Sequence, residues 1–171
     1  KGVLTIVEMM GLRGVNTHDF LHHYFEEPVY TVLSSSDFNR RKTDGGFDRE
    51  EFYTYPERYE SHFLKFAEQA ELLIAAAFWN PGAPRLFEMD DINSPDFSIS
   101  VIADITCDID GSIPTTIKAS SIAEPVYDID RESGQILPPF GKQTSISVMA
   151  IDNLPCELPR ESSSDFGVQL S

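Results

Sequence analysis

The run Ser145-Ile146-Ser147-Val148-Met149-Ala150-Ile151-Asp152-Asn153-Leu154-Pro155-Cys156-Glu157-Leu158-Pro159-Arg160-Glu161 decides the fold. Its first six residues read as a strand. A polar turn follows at once, and a helix-like run then continues to Leu170. In an open α/β sheet, ligands bind just beyond the carboxyl ends of the strands. Ile151 to Leu154 therefore stand where such a sheet holds its ligand. The arrangement occurs a second time: a strand-like run from Ile99 to Ile105 ends in Thr106-Cys107-Asp108-Ile109-Asp110-Gly111-Ser112.

Further out, Leu72-Leu73-Ile74-Ala75-Ala76-Ala77-Phe78-Trp79 is almost continuously apolar, as a strand buried on both faces would be, and it stops at Asn80-Pro81-Gly82. A short helix is expected around Asp90 to Ile92. Glu124 to Leu137 predicts a hairpin, with Val126-Tyr127 and Ile136-Leu137 flanking Glu132-Ser133-Gly134. Toward the start, Val3, Ile6, Val7 and Met10 recur at helical spacing from Lys1 to Gly11. Asn16 or Thr17 can cap a helix reaching Phe25, ended by Pro28. Val29 to Leu33 reads as a strand, and Ser34 to Gly46 as a polar loop. Asp48 can cap Arg49 to Tyr53, and Pro56 opens a further helix whose stripe is Tyr59, Phe63, Phe66 and Ala70.

Strands alternating with helices predict an α/β fold: a Rossmann-like, doubly wound, mostly parallel sheet. The opening helix has no strand and no glycine-rich turn before it, as a dinucleotide fold requires. The expectation is one fragmentary dinucleotide-binding domain over residues 1–171, with a C-terminal segment and with a substrate domain missing upstream.

The chain has 171 residues and a formal net charge of −15, which argues against nucleic acid or an anionic membrane as a partner. Cys107 and Cys156 make no CxxC and no zinc spacing; two such thiols fit a reducing, cytoplasmic setting. His18 and His22 are four apart on a predicted helix, but no third ligand accompanies them, so no metal is expected.

Three segments carry a family resemblance. Val29 to Asp44 with Pro56-Glu57-Arg58-Tyr59, Ala103-Asp104-Ile105-Thr106-Cys107-Asp108 with Gly111-Ser112-Ile113, and Ile151-Asp152-Asn153-Leu154-Pro155 with Leu158-Pro159 resemble the lysine-ketoglutarate reductases, or lysine-forming saccharopine dehydrogenases. These are relatives of alanine dehydrogenase, whose loop after the corresponding strand is similar to Asn80 to Leu86. The resemblance runs from Val29 to Gly167. It implies an oxidoreductase that interconverts lysine plus 2-oxoglutarate and saccharopine by hydride transfer with a nicotinamide cofactor. It also implies that the catalytic Lys and His lie in a separate N-terminal domain, so that this portion alone would be inactive. An alanine-dehydrogenase-like enzyme and a non-catalytic nucleotide-binding or regulatory module are the alternatives. The expected partners are the small-molecule substrates, and a homo-oligomer is admissible.

By that resemblance Ile151, Asp152, Asn153 and Leu154 contact the nicotinamide side of the cofactor, largely through backbone, and Asp108 is the acid at the active-site cleft. Asp108 could orient an amine or a migrating proton; an Asx-turn beside Gly111 is the structural alternative, and Asp104 reads as structural. Trp79 either stacks on a cofactor ribose or packs in the interior. The strand from Val29 ends in Ser34-Ser35-Ser36 with no acid, and Arg40-Arg41-Lys42 follows. An acid there would bind the ribose 2′-OH of NAD, whereas Ser34, Arg40 and Arg41 suit the 2′-phosphate of NADP. NADP(H) is therefore favoured over NAD(H).

Overall fold

Ile99, Ile102, Ile129, Ile146, Val148 and Ala150 are all fully shielded from solvent, and the sheet forms around them. The computed structural model describes residues 2–142 and 144–170. Helix α1 (Gly2–Met9) leads to β1 (Arg13–Gly14), α2 (Thr17–His22), β2 (Val29–Tyr30), α3 (Ser35–Phe38), β3 (Asn39–Arg41) and α4 (Arg49–Thr54). A 3-10 turn, Pro56–Arg58, precedes β4 (Tyr59–Ser61) and α5 (Leu64–Ala67). The main sheet is β5 (Leu72–Ala75), β6 (Val101–Asp104), β7 (Val126–Ile129), β8 (Ile136–Leu137) and β9 (Ile146–Met149). A 3-10 turn, Leu154–Glu157, and α6 (Pro159–Leu170) follow.

The strand order is β5-β6-β9-β7-β8. The ladders β5–β6 and β6–β9 are parallel; β7 runs antiparallel to both β9 and β8. Four of the five strands thus point one way. Along β9, Ile146 and Val148 are buried while Ser147 and Met149 are half-exposed, the period-2 pattern of a pleated strand. Phe63, Phe66, Phe87 and Phe97 complete the core, and Phe20, Leu21, Leu33 and Phe38 pack the N-terminal elements against it. A second cluster holds Phe52, Tyr59 and Ala83, with Phe47 and Trp79 on its flank.

Much of the sequence reading stands: α1 (Lys1 lies outside the described residues), the Asn16 cap of α2, the Asp48 cap of α4, the β7–β8 hairpin, and strands β6 and β9. Several expectations are corrected. The stripe from Tyr59 to Ala70 is not one helix. Tyr59 is drawn instead into the aromatic cluster on β4, which pairs with β3, and only Leu64–Ala67 is helical. Ser34 to Gly46 is not all loop, since Asp37 accepts from the Ser34 amide and starts α3. The Val29 strand is two residues long and pairs with Arg13–Gly14. α2 ends at His22 rather than Phe25. Strand β5 lies at a sheet edge, so Leu72 is exposed rather than buried on both faces. The crossover from β5 to β6 carries only a 3-10 helix, Met89–Asn93, where a parallel sheet usually inserts an α-helix.

Candidate functional site

Because β5, β6 and β9 are parallel, the loops that follow them emerge at one edge of the sheet. The backbone joins these loops. The Leu86 amide, beyond β5, donates to the Ser112 carbonyl beyond β6 at 3.0 Å. Beyond β6, Cys107 Sγ donates to the Ala150 carbonyl at 3.1 Å, just past β9. The same carbonyl accepts from the Ser120 amide at 2.7 Å, while Ser120 Oγ accepts from the Ala150 amide at 3.1 Å. Ser120 and Ile151 form a further parallel bridge.

Asp104 ends β6 and is 1% exposed. Its carboxylate collects the amides of Thr106 and Cys107 at 3.1 and 3.3 Å and the hydroxyls of Thr106 and Thr116 at 2.5 and 2.7 Å. Cys107, Asp110 and Asn153 take positive φ values of 50°, 59° and 59°, unusual for residues with side chains. Such conformations concentrate at functional loops. Gly111 closes a tight turn onto the Asp108 carbonyl at 2.9 Å. A Cβ at this position would sit 2.6 Å from Asp108 Cβ and 2.7 Å from Asp108 O, so only glycine fits.

Asp108, Asp152 and Asn153 are exposed at this edge, Leu154 is half-buried and Ile151 is buried. Burial pushes the Cys107 thiol up, and the charges of Asp152, Asp104 and Asp108 push it in the same direction. The acids of the β6 and β9 loops therefore act on one another's surroundings. A thiol held protonated in this way is a poor nucleophile.

Of the other candidates, Trp79 is in the loop after β5 and the rest are on the N-terminal elements. Trp79 packs beside the second aromatic cluster, and its indole N–H points to the Ala83 and Pro84 carbonyls at 3.2 and 3.3 Å. The ring itself is half-buried. Arg41 donates to Glu51 and Asp44, both at 2.7 Å, and lies over the Tyr59 ring. Glu51, held below the usual carboxylate range by Tyr59 and Arg58 and then by Arg41, ties this block together. Ser34 is exposed, and its hydroxyl donates to Asp37 at 2.6 Å; Arg40 is half-exposed on β3. His18 and His22 meet edge-on at 4.6 Å on α2.

Thr116 and Ser120, which tie the loops down, were not expected from sequence. The one local signal here, a hydroxyl at Thr106 two residues after Asp104, is a common side-chain-to-backbone turn pattern and points to neither of them.

The residues able to face a nicotinamide group at this edge are Ile151, Asp152, Asn153 and Leu154, with Asp108 on the loop after β6. Exposed polar side chains on a backbone already tied down fit such a group.

No family model matches the chain. The mouse protein named alpha-aminoadipic semialdehyde synthase, mitochondrial, is 34% identical over 160 residues. The match covers 82% of this chain and 17% of the mouse protein. Alpha-aminoadipic semialdehyde synthase of Arabidopsis thaliana is 28% identical over 145 residues, covering 82% of this chain and 14% of the plant protein. In Emericella nidulans, saccharopine dehydrogenase (NAD(+), L-lysine-forming) is 32% identical over 113 residues, 63% of this chain and 28% of the fungal protein. The chain thus spans only about a sixth of the mammalian relatives it matches. Over most of its length the chain is a homologue of alpha-aminoadipic semialdehyde synthase and saccharopine dehydrogenase, the lysine-ketoglutarate reductase/saccharopine dehydrogenase family.

Proposed function

We propose that this chain is the nicotinamide-cofactor-binding portion of an oxidoreductase that interconverts lysine plus 2-oxoglutarate and saccharopine by hydride transfer. The observation that carries the reading is the joining of the polar loops after β5, β6 and β9 at one edge of a parallel core. That edge is where open α/β sheets bind ligands. The named relatives supply the reaction class. We infer a Rossmann-like, doubly wound completion of the sheet on the same grounds.

In this reading Ile151 offers an apolar wall, and the turn at Asp152 and Asn153 offers backbone groups. Asp108 orients the substrate amine or holds the proton that leaves it. The nicotinamide, when bound, gives or takes the hydride. The catalytic Lys and His belong to another part of the full-length protein.

NADP(H) is proposed as the preferred cofactor, because the β2 segment continues into serines rather than an acid. Arg41 is already committed to Glu51 and Asp44, which leaves Ser34 and Arg40 as the basis for that preference. The fungal relative, named for NAD(+), favours the second reading. A cytoplasmic home is proposed from two free cysteines, against mammalian relatives named as mitochondrial, and cell fractionation decides between them.

The test is the full-length protein with lysine plus 2-oxoglutarate and either NADPH or NADH. Oxidation requiring both substrates supports the reading, and the faster cofactor decides the preference. Turnover on pyruvate plus ammonia alone would move the protein to an alanine-dehydrogenase activity. Silence on both would favour a non-catalytic module.

A further inference from the structure

We propose that Asp104 is a positioning residue whose buried carboxylate clasps the loop of residues 105–115 into one conformation and so sets where Asp108 stands at the edge of the sheet. The proposal rests on the reading of that edge as the cofactor- and substrate-facing side.

The loop leaves β6, regains the protein interior at Ile113, which is 1% exposed, and stays there through Thr115 and Thr116, which are 0% and 1% exposed. Asp104 spans both ends. Its Oδ1 takes the outgoing strand end through Thr106 and Cys107, and its Oδ2 takes the returning end through the Thr116 hydroxyl. The returning end is fixed a second time, because the buried Tyr127 hydroxyl on β7 donates to the Thr115 carbonyl at 3.0 Å. Between these anchors lie the positive-φ residues Cys107 and Asp110 and the sterically tight Gly111. Such a loop needs an external constraint to hold one shape. Among the described residues no lysine, arginine or histidine pairs with Asp104, so neutral donors alone satisfy its carboxylate. A buried charge without a cation is costly to hold, and hydrogen bonds to a charged group are the stronger kind. Asp108 itself is exposed, so its position depends on the loop backbone rather than on neighbours of its own side chain.

The experiment uses the full-length protein with four variants: Asp104→Ala, Asp104→Asn, Thr116→Val and Thr116→Ser. Asp104→Ala and Thr116→Val open the clasp, and kcat is expected to fall about tenfold or more. The KM for the cofactor should move far less. Asn can still accept from the Thr106 and Cys107 amides, and Ser keeps the hydroxyl; both are expected to restore most of kcat. Modification of Cys107 by a thiol reagent, followed by peptide mapping, should speed up in the two opened variants and not in the two conservative ones. Thr116→Val, a near-isosteric change, covers the case in which Asp104→Ala does not fold. The proposal is overturned if the opened variants label Cys107 faster yet keep wild-type kcat per folded molecule. It is also overturned if the conservative variants lose as much kcat as the opened ones. No turnover in the wild-type protein would instead sink the reading of the site, and this proposal with it.

Discussion

The basic run Arg40-Arg41-Lys42 and the loops beyond β6 and β9 both stood out as polar segments in an acidic chain, and the structure treats them in opposite ways. In the basic run the side chains of Arg41 and Lys42 are used internally. Arg41 is gripped by Glu51 and Asp44 and covers Tyr59, and Lys42 reaches the Glu57 carbonyl at 2.8 Å. In the strand-end loops the backbone is used internally, through Asp104, Ser120 and Ala150, while Asp108, Asp152 and Asn153 stay exposed. A charged residue spent on the fold has little left to offer a ligand. A tied backbone carrying exposed polar groups has its ordering cost already met before a ligand arrives. The second arrangement is the better binding surface, although the sequence offered both as cofactor contacts.

Breaking the first region should cost stability rather than chemistry, and the largest effect is expected at its hub. Tyr59 is 1% exposed, touches the rings of Phe47 and Phe52, and donates its hydroxyl to Glu51 at 2.8 Å. Tyr59→Ala should destabilise this block by about 3–5 kcal/mol, the range for large buried aromatics. Amide exchange across β3 and β4 in the full-length protein would register it. Protection equal to wild type would mean that the block is not a cooperative unit.

The second region should show the reverse. Asp108→Asn is expected to lower turnover of the full-length enzyme by about 100-fold, the lower end for a positioned acid or base. Its melting temperature should hold, because exposed substitutions stay within about 0.5 kcal/mol. Loss of stability without loss of turnover would make Asp108 the Asx-turn residue that the sequence also allowed. Gly111→Ala tests the backbone side of the same loop: its Cβ has no room beside Asp108, and a cost of about 1–3 kcal/mol follows from overpacking. Thermal unfolding measures it, and a neutral result would show that the turn can rebuild.

A smaller effect separates the two arginines. Arg41→Met should lower the melting temperature by a few degrees and leave the KM for either cofactor unchanged, since its guanidinium is tied to Glu51 and Asp44. Arg40→Ala should leave stability alone and raise the KM for NADPH relative to NADH. Steady-state kinetics with both cofactors checks the pair of variants. A cofactor effect at Arg41 would show that its ion pairs open in the working enzyme.

The strands of the site were legible because β6 and β9 combine an apolar period with a sharp polar stop, and parallel pairing then places both stops at one edge. The β7–β8 hairpin was legible for a similar reason, with Glu132-Ser133-Gly134 between two apolar pairs, Val126-Tyr127 and Ile136-Leu137. What the sequence hid was set by long-range partners. Tyr59, Phe63 and Phe66 have helical spacing, yet the aromatic cluster pulls Tyr59 onto a strand and leaves only one helical turn after it. Arg41 looked available because nothing local announces Glu51, ten residues on, as its partner. Thr116 is twelve residues from Asp104, too far for any local pattern to pair them. Local periodicity found the elements, and it failed where a single distant contact decided what a side chain does.

The weakest test concerns a third use of charge, at the opposite edge of the sheet. Since β7 runs against β9, the turn after Ile129 lies beside Ile146, at the start of β9, and not at the end that leads to Ile151. There Asp130 accepts from Lys142 at 2.6 Å and from the amides of Glu132 and Ser133, both at 3.0 Å. Lys142 and then the Ser133 amide hold the Asp130 carboxyl down at about 2. Its folded value thus lies below the unfolded one of about 3.9. The stabilisation is therefore complete above about pH 4 and is lost as pH falls toward about 2. Over that window the amides of Glu132 and Ser133 should lose protection, and Asp130→Ala, which removes the acceptor itself, should lose it already at neutral pH, measurably by hydrogen exchange. The amides of Thr106 and Cys107 should stay protected in Asp130→Ala at neutral pH. If they exchange together with Glu132 and Ser133, the two edges open as one unit, and the contrast between a charge spent on the fold and a backbone held ready for a ligand would be a difference of degree only.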